Sequence, residues 1–93
     1  MSSYAVVFAA VVATIRATIA EDWLVAYPID ADTRFNRDLE IESIEFVKIA
    51  DAIQTHFGRD LDILGWLSGK TIDELIGLSV GELVDHIANA ANA

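Results

Sequence analysis

One serine lies in a cluster of carboxylates at the predicted start of a helix. Ser43 is flanked by Glu42 and Ile44, and Glu40 and Glu45 lie within three residues of it. Serine is a favoured N-cap residue, so its hydroxyl could serve only to accept a backbone N–H. The hydroxyl could instead be an attachment point, since the free N–H groups and the dipole of a helix N-terminus accommodate an added phosphate. The residue types leave both interpretations open.

Hydrolytic chemistry at this serine is not supported. A serine nucleophile needs a histidine base within hydrogen-bonding distance and a third group that orients the base. The two histidines are His56 and His86, and no glycine-flanked turn surrounds Ser43. His56 follows Ser43 by thirteen residues on the same predicted helix, so the two side chains cannot meet. We expect no catalysis, and we expect both histidines at the surface or at helix ends rather than in a metal site.

The residues after Ser43 show the period of an amphipathic helix. One narrow apolar stripe is the predicted core face and consists of Phe46, Ile49, Ala50, Ile53 and Phe57. Ile44 and Val47 fall outside this stripe, on the outer face beside Ser43. Apolar residues exposed next to a serine indicate a surface that another molecule covers.

The ten residues from Arg37 to Phe46 resemble the acyl carrier protein family, whose modified serine follows an Asp and precedes a Leu at the start of the second helix. The corresponding triplet here is Glu42-Ser43-Ile44. The likeness covers residues 29–58, and residues 78–87 resemble the last helix of the family. The segment that joins Gly58 to this last helix is longer than usual in the family.

The resemblance implies an all-α fold: a four-helix bundle with a long loop between the first and second helices and an extended segment before the last. It also implies that Ser43 carries covalent 4′-phosphopantetheine, attached by a phosphopantetheinyl transferase. The chain would present acyl groups as thioesters to acyl-loading, condensing or transferring enzymes of fatty-acid, polyketide or related biosynthesis. These partners are expected to have basic docking surfaces.

The outer face around Ser43 is the expected docking surface, with charges that steer a partner and apolar residues that anchor it. The steering charges are Glu40, Glu42, Glu45 and Asp51, and the anchors are Ile44 and Val47. Lys48 interrupts the acidic face and either tunes partner choice or pairs with Glu45 or Asp51.

Composition favours one domain over residues 1–93, since a 93-residue chain that is 54% hydrophobic suits one helical core. A net charge of −9 opposes nucleic acid and anionic lipid as partners and favours basic proteins. Eleven of the fifteen carboxylates lie between Glu21 and Asp62, around Ser43. The absence of cysteine excludes disulfides and thiolate sites, and fits a cytoplasmic location. We expect a monomer without a membrane span.

The apolar run from Tyr4 to Ala20 predicts a buried first helix. Its stripe consists of Tyr4, Val7, Phe8, Val11, Ile15 and Ile19. The valine and isoleucine content leaves a strand as an alternative. The run lacks the positive segment of a signal peptide. It is short for a bilayer span, and Thr14, Arg16 and Thr18 interrupt its apolar character.

The remaining segments predict cover for the core. The loop from Glu21 to Phe35 is too apolar for a free linker and is expected to lie across the helices and seal the core. Its Asp30 and Asp32 lack the rest of a calcium loop. The segment from Leu61 to Ile76 contains two short apolar groups, and Trp66 is predicted to wedge against the first helix. The alternative is that both surfaces stay exposed and favour self-association or a dedicated partner. Capping boxes are predicted at Thr71 with Glu74 and at Ser79 with Glu82.

Two other functions remain open from the sequence. An aminoacyl or peptidyl carrier would also use Ser43. Members of that group usually have a sequence similar to Gly-Gly-His-Ser before the leucine, whereas this chain has Glu40-Ile41-Glu42-Ser43. A small acidic helical interaction protein would use Ser43 only as a helix cap.

Overall fold

The computed structural model describes residues 4–58 and 61–91, and these residues form six helices joined by turns and one isolated antiparallel bridge. The helices are α1 (Tyr4–Thr18), α2 (Asp22–Val25), α3 (Ser43–Phe57), α4 (Ile63–Ser68), α5 (Ile72–Ile76) and α6 (Val80–Ala91). The predicted all-α class is confirmed. The long loop between α1 and α3 contains the short α2, and the extended segment before α6 forms α4 and α5.

The three long helices α1, α3 and α6 enclose the core. Helix α1 packs against both α3 and α6, and it buries one residue per turn because residues four apart lie on the same face. The fully buried side chains of the three helices include Val7, Val11, Ile15, Ile49, Ile53, Val80, Val84 and Ile87. The predicted stripes of α1 and α3 are confirmed at their centres, whereas Tyr4 is exposed and Phe46 and Phe57 are half-buried.

The loop between α1 and α3 is tied to α1 by Arg16. Its guanidinium donates to the carbonyls of Leu24 and Tyr27, the latter from Nη2 at 2.9 Å. Leu24 and Phe35 are buried and seal the core, but Trp23 is 43% exposed and contacts the Tyr27 ring edge-on, with centroids 5.4 Å apart. The predicted sealing role therefore belongs to Leu24 and Phe35 rather than to Trp23.

The two aspartates of this loop form a turn. The Asp30 carboxylate accepts a hydrogen bond from the Asp32 N–H at 2.9 Å and another from the Thr33 hydroxyl at 3.3 Å. Such a bond from a side chain to the backbone two residues on is typical of an Asx turn. The Asp30 oxygen is therefore used in shaping the loop.

Both predicted capping boxes are present. The Thr71 hydroxyl accepts from the Glu74 N–H at 3.2 Å, and the Glu74 carboxylate accepts from the Thr71 N–H at 2.9 Å. The Ser79 hydroxyl accepts from the Glu82 N–H at 3.2 Å. These bonds start α5 and α6 where the sequence predicts, because they satisfy N–H groups that have no partner within a helix.

The N-terminus of α6 is also bound by the loop before Ser43. The Val80 N–H donates to the Thr33 carbonyl at 2.8 Å, and the Gly81 N–H donates to the Ala31 carbonyl at 2.9 Å. A Cβ atom at position 81 would lie 2.8 Å from the Ala31 oxygen, so this close approach requires glycine. The loop thus takes its position from α6.

The predicted cover of α1 by the segment before α6 is wrong. Helix α4 packs against α3 and not over α1, with Ile63 and Leu67 buried. Trp66 stacks on His86 of α6, with ring centroids 4.1 Å apart and an interplanar angle of 7°. The outer face of α1 stays exposed, as the 62% exposure of Val6 shows. The ring of His86 therefore provides the contact for Trp66 that the sequence assigned to α1.

Burial lowers the pKa of His86, and the Lys70 ammonium lowers it further. Its Nε2 atom is buried and has no hydrogen-bond partner among the described residues. The Lys70 Nζ lies 4.4 Å from the centroid of the Trp66 ring that stacks on His86. A proton on His86 is therefore disfavoured in the folded chain.

We expect the folded chain to lose stability below pH 6.5 because of His86. Its unfolded pKa is near the ordinary 6.5 and its folded pKa is lower, so the unfolded state binds the proton first as pH falls. Urea unfolding at pH 7.5 and pH 5.5 should show this loss in the wild type. The substitution His86→Phe should remove that part of the loss, whereas His56→Phe, on the exposed side of α3, should keep it. An equal loss in all three proteins would contradict the prediction.

Candidate functional site

Ser43 is the first residue of α3, and the N-cap position belongs to Glu42. The Glu42 backbone is extended, with φ −80° and ψ 161°. Its N–H donates to the Glu45 carboxylate at 3.2 Å, which is one half of a capping box. The interpretation of Ser43 as the N-cap is wrong, because Glu42 holds that position.

A buried turn fixes the backbone that leads to Ser43. The Ile41 N–H donates to the Phe35 carbonyl at 3.0 Å, and the Phe35 ring stacks on Phe46 of α3 with centroids 5.0 Å apart. Leu39 and Ile41 are buried, whereas the intervening Glu40 is exposed. Ser43 is therefore only two residues after Ile41, whose side chain is anchored in the core.

Asp38 closes this turn at its base. Its carboxylate accepts a hydrogen bond from the Arg34 N–H at 2.8 Å, and its own N–H donates to the Arg34 carbonyl at 3.0 Å. The bond from the Arg34 N–H is the main cause that lowers the pKa of Asp38, and the Arg37 charge lowers it further. The ionised carboxylate is thus the form that holds the turn at neutral pH.

Glu40 has a left-handed backbone, with φ 52°. This region is unfavourable for residues with a Cβ atom and is the usual place of glycine. Glu40 lies between two buried residues, so the turn forces the conformation on it. The Glu40 carboxylate, a predicted steering charge, therefore lies on the surface next to a strained backbone.

Glu40→Gly is expected to raise the free energy of unfolding by about 1 kcal/mol, because glycine adopts φ 52° without the steric cost. Glu40→Ala is the matched control, since it removes the same charge but keeps a Cβ atom. Urea unfolding of both variants separates backbone strain from charge. Equal stability of the two would contradict the assignment of strain to Glu40.

The outer face of α3 has the exposure that the sequence predicts. Ile44 is 65% exposed and Val47 is 53% exposed. Lys48 and Asp51 are also exposed, as is Glu42. Glu45 is half-buried, and its carboxylate accepts the Glu42 N–H at the start of the helix. Charged and apolar side chains therefore alternate on the surface next to Ser43.

An apolar groove of about 510 Å³ runs beside the first turn of α3. Its walls come from both sides of Ser43 and from α4 and α5: Ile41, Phe46, Val47, Leu64, Leu67, Ile72, Leu75 and Ile76. Asn36 and Ser68 are its polar lining residues. The two short apolar groups before α6 were the sequence signal for its second wall.

The histidines and carboxylates that the structure describes do not form a second centre. His56 is exposed on α3 and contacts the Phe57 ring edge-on, and His86 stacks on Trp66. Within residues 4–58 and 61–91 no group of three or more His, Cys, Asp or Glu side chains is placed to hold a metal ion. In that part of the chain, no helix has both the length and the apolar character needed to cross a membrane.

Residues 13–79 match the family described as the phosphopantetheine attachment site. The chain is also 40% identical over 65 residues to a protein named "Acyl carrier protein, mitochondrial", from Saccharomyces cerevisiae (strain ATCC 204508 / S288c). This match covers 70% of the chain and 46% of that protein, so the chain spans less than half of its relative's length. No solved structure matches the chain.

The comparison corrects the predicted cytoplasmic location. The relative is named as a mitochondrial protein, so the cytoplasmic prediction is wrong. That prediction relied on the absence of cysteine. A chain without thiols has no redox chemistry that distinguishes one compartment from another.

Proposed function

This chain belongs to the family of proteins with a phosphopantetheine attachment site, and from that premise we propose that it is an acyl carrier whose arm is attached to Ser43. The chain is a carrier and not an enzyme. Its cofactor is 4′-phosphopantetheine, and its partners are a phosphopantetheinyl transferase and biosynthetic enzymes. When attached, the cofactor supplies a thiol that holds cargo as a thioester.

The position of Ser43 at the first turn of α3 is the observation that carries the proposal. The first N–H groups of a helix have no intrahelical acceptor and favour an anionic group. A phosphodiester on Ser43 would therefore lie at a favourable place. Glu42 and Glu45 oppose the added negative charge, so we assign their carboxylates to partner recognition.

The groove beside Ser43 supports acyl cargo over aminoacyl cargo. Its lining is almost wholly aliphatic or aromatic, and it begins within the same turn of α3. An alkyl chain that enters such a groove leaves water, at a gain of about 0.8 kcal/mol per buried CH₂. A charged amino group would lose its hydration there without a partner. The name of the yeast relative agrees with acyl cargo, and we place the cargo in fatty-acid, polyketide or related biosynthesis.

We assign partner docking to the outer face of α3. Ile44 and Val47 are the apolar anchors, with Glu40, Glu42, Glu45 and Asp51 as steering charges and Lys48 as the residue that tunes partner choice. The exposure of Ile44 and Val47 supports this assignment. A net charge of −9 favours a partner with a basic surface and makes association sensitive to salt.

Loading with acyl cargo tests the proposed function. The purified chain is incubated with a broad-specificity phosphopantetheinyl transferase and octanoyl coenzyme A, and its intact mass is measured before and after neutral hydroxylamine. We expect the mass of one octanoyl-phosphopantetheine group and loss of octanoyl alone on treatment, since hydroxylamine cleaves thioesters. An unchanged mass would support the small acidic interaction protein instead.

A comparison of cargoes separates the acyl carrier from the aminoacyl carrier. An octanoyl chain covered by the groove should be cleaved by hydroxylamine more slowly than an acetyl group on the same arm. Equal cleavage rates would show that the groove does not take the alkyl chain, and would favour an aminoacyl or peptidyl carrier.

A further inference from the structure

Helix α5 lines the groove although only Leu75 among its side chains packs against the core, and that side chain is partly buried. None of its five residues is fully buried, and Ile72 is 75% exposed. A helix of this length is unstable in isolation, because so few hydrogen bonds cannot offset the cost of nucleation. The capping box of Thr71 and Glu74 is internal to α5 and does not fix its place. Contacts with the rest of the chain must hold it.

The C-terminal end of α5 is held by Arg34 from the loop before Ser43. Gly77 is the C-cap of α5, and its carbonyl accepts a hydrogen bond from Arg34 Nη1. The last carbonyls of a helix lack intrahelical partners, and a basic side chain satisfies them well. One residue further on, the Leu78 carbonyl accepts from the Phe35 N–H at 3.2 Å. The loop and the end of α5 are therefore joined at adjacent residues.

The backbone of Arg34 is fixed before its side chain reaches α5. Its N–H is bound by the Asp38 carboxylate at 2.8 Å, and its carbonyl accepts from Asp38 and Leu39 at 3.0 and 3.2 Å. No carboxylate of the residues that the structure describes forms an ion pair with the Arg34 guanidinium. The side chain is thus directed to the Gly77 carbonyl from a rigid base.

We propose that Arg34 is a positioning residue that holds α5 as one wall of the groove and so determines how well cargo on Ser43 is covered. The proposal rests on the proposed carrier function. Ile72, Leu75 and Ile76 of α5 line the groove together with Val47. Loss of the bond to Gly77 loosens this wall, because no side chain of α5 is fully buried and Leu75 is only partly buried against the core. The groove then opens beside the attachment point.

Amide hydrogen exchange in the chain without cofactor tests the hold on α5. In Arg34→Ala, exchange at Leu75 and Gly77 should rise about tenfold or more relative to Leu83 of α6, as expected for the loss of a hydrogen bond from a charged donor. Arg34→Lys should restore part of the protection, since an ammonium can still donate to the carbonyl. Arg37→Ala is the matched control and should exchange like the wild type. Unchanged exchange in Arg34→Ala, or an equal rise throughout α6, would overturn the proposal.

Thioester cleavage in the loaded chain tests the effect on cargo. In Arg34→Ala, hydroxylamine should release an octanoyl group several times faster than in the wild type, while the release of an acetyl group stays unchanged. Equal acceleration of both would overturn the covering role of α5. If the wild type cannot be loaded, the carrier function fails and the covering role fails with it, whereas the exchange experiment still decides whether Arg34 holds α5.

Discussion

Truncation of Ile53 to alanine is expected to lower the free energy of unfolding by about 2–5 kcal/mol. Ile53 lies at the centre of the stripe by which α3 faces the core, and its side chain is fully buried. The substitution removes buried methyl groups and leaves a cavity that the long helices α1 and α6 can only partly close. Urea or thermal unfolding of the purified variant measures the loss.

Val47→Ala is the matched control on the same helix. Its side chain is 53% exposed, so we expect a change in stability within about 0.5 kcal/mol. The same variant should weaken transfer of cargo by a partner enzyme, because Val47 belongs to the proposed docking surface and lines the groove. Similar stability losses in Ile53→Ala and Val47→Ala would contradict the assignment of the two faces of α3.

Ser43→Ala is expected to abolish loading with phosphopantetheine completely while the chain stays folded. Alanine has the highest helix propensity, and Ser43 occupies the first helical position after the Glu42 cap. The stability change should therefore stay within about 0.5 kcal/mol. Intact mass after incubation with the transferase measures loading, and urea unfolding measures stability.

Ser79→Ala is the control that reverses these effects. The Ser79 hydroxyl accepts the Glu82 N–H at the start of α6, so its loss should cost about 1 kcal/mol. Loading should remain complete because Ser79 is not the proposed attachment residue. Loading that survives in Ser43→Ala would refute the assignment of Ser43.

The long helices could be predicted because their periodicity is local. Val7, Val11 and Ile15 lie four residues apart, and so do Ile49 and Ile53, and each set is buried. The capping boxes at Thr71 and Ser79 could also be predicted, since the two partners of each box lie three residues apart in the sequence. Local spacing was sufficient for these features.

The N-cap of α3 is Glu42 and not the following Ser43, for a physical reason. Glu42 has an acidic residue, Glu45, three positions later, whereas Ser43 is followed by Phe46 at that spacing. Only the first pair can form a capping box, and the structure has the bond from the Glu42 N–H to Glu45. The signal was present in the sequence, but the preference for serine at N-caps obscured it.

Contacts between distant segments could not be predicted. Nothing in the spacing of Trp66 indicates that it stacks on His86 rather than packing on α1. The bond from Arg34 to the Gly77 carbonyl also joins residues far apart in the chain. The groove likewise brings together residues of α3, α4 and α5 that are far apart in the sequence.

Fragmentation mass spectrometry, which identifies the residue that carries the cofactor, is the most direct test of the carrier function. The wild-type chain is co-expressed with a broad-specificity phosphopantetheinyl transferase, and the intact protein is fragmented. We predict one phosphopantetheine group, carried by fragments that contain Ser43. A group found on Ser68 or Ser79, or a chain that remains unmodified, would contradict the account.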